Sequence, residues 1–128
     1  KKWCDENELL YMPVVFPGFS WSNQKRNPKL FNQIPRLKGD FLWRQFYNTI
    51  SSDVKTIYVA MFDEMDEATC IFKIDSNPPE GGKSKFLTYE GLPSDYYLWL
   101  TGRAGKMLRK EIPMTKLIPS YSIKVNEK

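Results

Sequence analysis

Histidine is absent from these 128 residues. Its loss removes Ser-His and Cys-His nucleophile systems and leaves no Cys/His metal site. Cysteine is scarce, and Cys4 and Cys70 are too few to define a disulfide framework. No apolar run is long enough to span a bilayer, and nothing resembles a signal peptide. Repeats and low-complexity tracts are also missing. The net charge of +4 is modest, and the basic residues are dispersed through loops, the last helix and the tail. That is surface charge rather than a nucleic-acid stripe. No motif calls for a cofactor or a metal. Any chemistry this chain performs by itself falls to carboxylates.

What the sequence does hold is aromatic: four Trp, seven Tyr and eight Phe make up 15% of it. Flat rings fill cores, and they also stack on sugar or base faces. It also holds one stretch around which the rest is arranged, Thr56-Ile57-Tyr58-Val59-Ala60-Met61-Phe62 followed directly by Asp63-Glu64-Met65-Asp66-Glu67. A continuous apolar run predicts a parallel strand covered on both faces, since a half-wet antiparallel strand would alternate. The strand then delivers four carboxylates to its C-terminal end, where parallel α/β enzymes present catalytic acids.

In chain order, Lys1 to Glu8 is polar and reads as the end of a helix or a connection. Leu9 to Phe16 reads as a first buried strand closed by Pro17-Gly18, although Pro13 cannot donate to a ladder. Pro17 to Gly39 is a long irregular segment. Asp40 is placed as an N-cap, and Leu42, Trp43, Phe46, Tyr47 and Ile50 recur at helical spacing beyond it. After the second strand and its acids, Ala68 to Leu92 is again long and irregular. It includes the turn-rich Asn77-Pro78-Pro79-Glu80-Gly81-Gly82 and a short strand or hairpin expected at Phe86 to Tyr89. Ser94 is expected to cap a final helix to about Glu111, with Tyr97, Leu100, Ala104 and Leu108 inward and Pro113 as its stop. Gly102 and Gly105 inside that helix are expected to permit close packing.

Strand, crossover helix and parallel strand make a right-handed βαβ unit. The segments after strands are long and the return before the second strand is short, as in a (β/α)8 barrel, whose βα loops build the active site. A doubly wound sheet fits almost as well. Two strands cannot close a barrel, which takes about 200 residues or more. The chain is therefore expected to be the C-terminal part of a larger α/β domain over residues 1–113, with 114–128 as a tail.

Cleaving a glycosidic bond needs one protonated and one ionised carboxyl group. In an extended chain Glu64 and Glu67 would point to opposite faces, roughly 10 Å apart. A turn at Met65-Asp66 would bring both over one pocket. Three readings of the acids stay open: a catalytic pair, a solvated loop, or a hard-cation site using Asp63, Glu64, Asp66 and Glu67, which lacks the glycine and spacing of a calcium loop. In the first long segment Phe19 and Trp21 are candidates to stack on a sugar or else to pack on neighbouring helices, and Arg36 to meet sugar hydroxyls, to hold a glutamate ionised or to form a loop-anchoring salt bridge.

A family resemblance enters at these residues. Phe62-Asp63-Glu64-Met65-Asp66-Glu67-Ala68-Thr69 resembles the Asn-Glu-Trp-His-Glu-Gly-Thr segment of glycoside hydrolases of families 71 and 99, the endo-mannanase and endo-mannosidase type. Pro13 to Trp21, Asn32 to Arg36, Phe41 to Tyr47 and Gly91 to Gly102 look like the family 71/99-like bacterial proteins often labelled xylosidase/arabinosidase. The resemblance implies the last portion of a (β/α)8 TIM barrel acting on carbohydrate, with no cofactor, partnered by the N-terminal remainder of the barrel. It also implies that Glu64 and Glu67 match two catalytic glutamates of a retaining hydrolase, the first a base on the sugar 2-hydroxyl and the second the acid/base. Phe19 falls near a substrate-facing Tyr of that branch, and Asp63, which stands where the branch has Asn, is a further candidate for substrate binding. Met65-Asp66 replaces Trp-His, which puts a mannose-type substrate in doubt. Relatives that degrade polysaccharide are commonly exported, which implies a secreted or periplasmic full-length protein. A non-catalytic carbohydrate-binding module and an inactive barrel fragment are the alternatives, and the fragment alone is expected to be inactive.

Overall fold

The computed structural model describes residues 1–79, 82 and 84–122. Glu80 and Gly81 of the turn-rich insert, and residues 123–128 of the tail, lie outside the described residues. The elements run α1 (Lys2–Glu6), β1 (Val14–Val15), α2 (Asp40–Ile50), β2 (Tyr58–Val59) and α3 (Tyr96–Leu108), with short 3-10 turns at Pro28–Leu30 and Leu37–Gly39. β1 and β2 pair in parallel, Val14 beside Tyr58 and Val15 beside Val59. The α/β expectation holds as a parallel β1–α2–β2 unit carrying a further helix. A closed barrel wall is not part of it.

Both strands are shorter than the sequence predicts. Leu9 to Phe16 yields only Val14–Val15, and Thr56 to Phe62 only Tyr58–Val59. Each strand has one neighbour among the described residues, so most of its backbone has nothing to pair with. Pro13 sits just ahead of β1 and contributes only its carbonyl, which accepts from Tyr58 N at 2.9 Å. Past β1 a side chain stands in for a missing strand. The Gln45 amide donates to Phe16 O at 2.8 Å and accepts from Phe16 N at 3.3 Å. The expected burial on both faces is corrected too, because Val14 is 58% and Phe62 59% exposed while Val15 is buried. One side of the sheet is covered by α2 and the other is open.

α2 forms because its apolar residues fall on one stripe, with Leu42, Trp43 and Phe46 buried and Ile50 packed beside them. Asp40 is not its cap. It is the first helical residue and pairs with Arg44 at 3.0 Å, one turn on, its charge well placed at the helix N-terminus. Gly39 takes the cap position at φ +91°. A Cβ there would come within 2.8 Å of the Tyr96 ring and 3.0 Å of Leu100, so only glycine lets the start of α2 approach α3 this closely.

α3 buries Tyr96, Tyr97, Leu100, Ala104 and Met107 against α2. It begins at Tyr96 and ends at Leu108, inside the expected span from Ser94 to Glu111. The Ser94 side chain caps nothing, and Asp95 in the cap position accepts from the Tyr121 hydroxyl at 2.6 Å instead. Gly102 is corrected as well: a Cβ there would touch nothing within 4 Å, so no close packing requires it, and at Gly105 the neighbour is only the flexible end of Arg109. Phe86 to Tyr89 forms no strand. Tyr89 instead turns inward, its ring 4.6 Å from that of Tyr97. Trp43 is fully buried and ties the following segment to the core by donating to Thr115 O at 3.2 Å. Among the described residues no helix is long and apolar enough to cross a membrane.

Candidate active site

Immediately after β2 the chain folds into a tight buckle. Met61 N donates to Thr69 O at 3.0 Å, and Ile71 N and Phe72 N both donate to Phe62 O, at 3.0 and 2.9 Å. Inside it Glu64 O accepts from both Thr69 N and Cys70 N at 3.1 Å, and Ala68 N donates to Met65 O. The sequence makes this possible by setting small Ala68, at φ +58°, at the return. Ala68, Thr69 and Cys70 are buried and form the base, while Asp63, Glu64 and Asp66 are exposed and Glu67 is half-buried. The turn expected at Met65-Asp66 is present, closed from Met65 to Ala68. The acids are therefore held out beyond the C-terminal end of a parallel strand by a return whose two arms are hydrogen-bonded to each other.

The first long segment is laced to this buckle. Its own base is a two-way bridge, Phe19 N to Ile34 O at 2.9 Å and Ile34 N to Phe19 O at 3.0 Å. From it Ser20 N donates to Glu67 O at 2.8 Å, and the Gln24 amide donates to the Glu67 carboxylate. The Asn23 amide reaches Asp66, 3.4 Å from Oδ1 and 3.5 Å from the carbonyl. Among the described residues none of the four acids forms an ion pair, so no arginine clamps Glu64 or Glu67. Nor are any three Asp, Glu or Cys side chains gathered as a metal site among those residues. Phe19 and Trp21 are half-buried and pack edge to face, ring centroids 4.7 Å apart, with the Lys25 ammonium 5.0 Å over Trp21.

Arg36 is where expectation and structure part. It is 1% exposed, so it meets no solvent-borne hydroxyl, and it forms no ion pair among the described residues. Its guanidinium lies 4.9 Å from the Tyr89 ring and 4.6 Å from that of Tyr97. Nη2 donates to Cys70 O at 2.9 Å. Arg36 thus holds the base of the acid buckle from beneath. Two aromatic faces take the place of a carboxylate in stabilising the charge. The sequence reading missed Asn23 and Gln24 as partners of the acids. The only signal was a polar run, Ser22-Asn23-Gln24, inside a long loop.

Burial pushes the Cys70 thiol above its ordinary 9.0, and pushes the Tyr89 and Tyr97 phenols far above their ordinary 10.0, with the nearby Arg36 charge opposing the shift in each case. The folded chain therefore keeps protons that the unfolded chain releases. Their contribution to stability is intact at neutral pH and is lost progressively as pH rises above 9.0 for the thiol and above 10.0 for the phenols, towards their raised folded values. Melting temperature measured against pH is expected to fall across this alkaline range, and Tyr97→Phe is expected to flatten the fall.

A cavity of about 820 Å³ opens on the other side of Asn23, between the first long segment and Ser84-Lys85. A second, of about 720 Å³, lies at the opposite end of the helices near Ile50, Met107 and Pro113. Neither is lined by Glu64 or Glu67.

Acidic side chains beyond the C-terminal end of a parallel strand stand where (β/α)8 enzymes build their active sites. Comparison with solved structures makes this particular. The chain is similar to the GH99 endo-alpha-mannosidase from Bacteroides thetaiotaomicron, at 25% identity and a TM-score of 0.72 over 85% of this chain and 31% of that one. It is similar to the same type of enzyme from that organism in complex with BIS-TRIS-propane, at 25% identity and 0.70 over 85% of this chain and 33% of that one. The chain thus spans about a third of the length of the enzymes it matches. The resemblance to family 71/99 glycoside hydrolases is shown in the fold, for a portion of their length. No protein-family model and no curated protein matches the sequence.

Proposed function

We propose that residues 1–113, followed by a tail at 114–128, supply the C-terminal part of a (β/α)8 glycoside hydrolase. The intact protein hydrolyses O-glycosidic bonds in a poly- or oligosaccharide with retention, and Glu64 and Glu67 are its carboxylate pair. The observation that carries this reading is the buckle: two carboxylates three residues apart, at the C-terminal end of a parallel strand, with no counter-ion among the described residues. The fold likeness to GH99 endo-alpha-mannosidases supports it. Asp63 at the shoulder of the buckle and the Phe19–Trp21 pair beside it are the substrate contacts of this reading. The N-terminal remainder of the barrel completes the site and covers the open side of the sheet.

The test is an assay of the intact polypeptide on α-mannan oligosaccharides and aryl glycosides, with product anomers read by NMR at early times. Retention is expected. Inversion, or no turnover on any glycoside, removes the reading. A carbohydrate-binding role without turnover is a second reading favoured by the half-buried Phe19–Trp21 pair. In that case glycan binding survives Glu64→Gln and Glu67→Gln and is lost with Trp21→Ala.

A further inference from the structure

The geometry points to a subsite for an anionic sugar in the 820 Å³ cavity beside the acid buckle, a residue of the glycan that carries a carboxylate or phosphate ester. Three observations converge on it. The first is charge. Arg26 and Lys85 both line the cavity, and among the described residues no carboxylate lines it and neither cation forms an ion pair. A guanidinium offers a planar fork that matches carboxylate and phosphate oxygens, and an ammonium adds a second point of positive charge.

The second is the floor. Phe31 lines the same cavity, and the Lys85 ammonium stands 5.0 Å over its ring. That contact holds the cation at the cavity wall, with the rest of the ring as an apolar border. Asn27, also in the lining, spends its side-chain oxygen on the Lys29 N–H at 3.0 Å, and its NH₂ group has no partner among the described residues. It remains a donor for a hydroxyl. The volume falls within the usual range of small-ligand sites.

The third is connection to the acids. Asn23 forms part of the cavity wall and is anchored on both sides. Its amide donates to Lys85 O at 3.1 Å and accepts from Lys85 N at 3.1 Å, while the same NH₂ group contacts Asp66. Asn23 is followed at once by Gln24, which donates to Glu67. One short run of chain therefore serves as the cavity wall and as the brace of the proposed catalytic acids. A sugar held in the cavity is a neighbour of the bond cleaved at the buckle. The inference rests on the glycosidase reading for that last step, and on the cavity itself for the anion.

The experiment is calorimetric binding to the intact polypeptide, with probes that carry no glycosidic bond and so are not turned over. The probes are mannose 6-phosphate, glucuronate, mannose and inorganic phosphate. Both anionic sugars are expected to bind at least roughly tenfold more tightly than mannose and than inorganic phosphate, and to weaken as salt is raised. Arg26→Ala and Lys85→Ala are each expected to weaken them roughly tenfold, with circular dichroism and melting unchanged, because both side chains are exposed. Mannose binding as well as either anionic sugar overturns the proposal. So does inorganic phosphate binding as well as mannose 6-phosphate, which marks a bare anion site, and so does affinity indifferent to both substitutions. Neutral-glycoside turnover by the unsubstituted protein with no anionic preference sinks the subsite alone. Anionic-sugar binding with no turnover of any glycoside sinks the glycosidase reading alone.

Discussion

Glu64→Gln and Glu67→Gln, each made in the intact polypeptide, are expected to lower kcat by about 10²- to 10⁴-fold while leaving the denaturation midpoint unchanged. The two losses differ in kind. If Glu67 donates the proton to the departing oxygen, its loss matters most where the leaving group is a sugar hydroxyl and least where it is an activated phenol. Glu67→Gln is then expected to retain much more of its activity on aryl glycosides than on oligosaccharides. If Glu64 acts on the sugar itself, the loss in Glu64→Gln is expected to fall equally on both substrates. Steady-state kinetics on a series of aryl leaving groups read this directly. Equal losses for the two variants across the series defeat the assignment of roles, and activity near that of the unsubstituted protein in either variant defeats the pair. Folding does not confound the result, because Glu64 is exposed, Glu67 is half-buried, and the buckle is closed by backbone bonds that neither side chain makes.

Arg36→Ala is expected to destabilise the protein by about 3 kcal/mol, measured by denaturant unfolding. Three losses add up. The truncation empties the space between Tyr89 and Tyr97, removes two cation–aromatic contacts, and leaves Cys70 O without its short donor. Against these stands the cost of burying a cation whose Nε and Nη1 have no partner among the described residues. Arg36→Met restores volume and removes that cost, so it is expected to lose about half as much as Arg36→Ala. Its readout beyond stability is catalytic. With Cys70 unpinned the base of the buckle loosens, and kcat is expected to drop more than KM changes. A Met variant as unstable as the Ala variant would show that the charge, not the filling, holds this core together.

The two longer helices were legible because their signal is periodic and local. Leu42, Trp43 and Phe46, and Tyr97, Leu100 and Ala104, announce a buried stripe without knowledge of what buries it. The turn through Met65 to Ala68 was legible for a similar reason, since an apolar run breaking into four acids must leave the core. The strands were overextended because β-propensity describes side chains, while a strand is defined by what pairs with its backbone. Arg36 was misplaced because its surroundings are remote in sequence. Nothing near Pro35-Arg36 announces the two tyrosines more than 50 positions later that take up its charge. The Asn23 and Gln24 contacts lie in the same category, as do the cap residues, where Ser94 had the right chemistry and Asp95 the right position.

The uncovered side of the β1–β2 sheet has a consequence for how these 128 residues behave in concentrated solution. Val14, Tyr58 and Phe62 present greasy surface next to strand edges that pair with no further strand among the described residues. Such a face is adhesive toward copies of itself. Crowding such chains in a tube favours sticking over staying apart, and Tyr58→Lys is the simplest repellent.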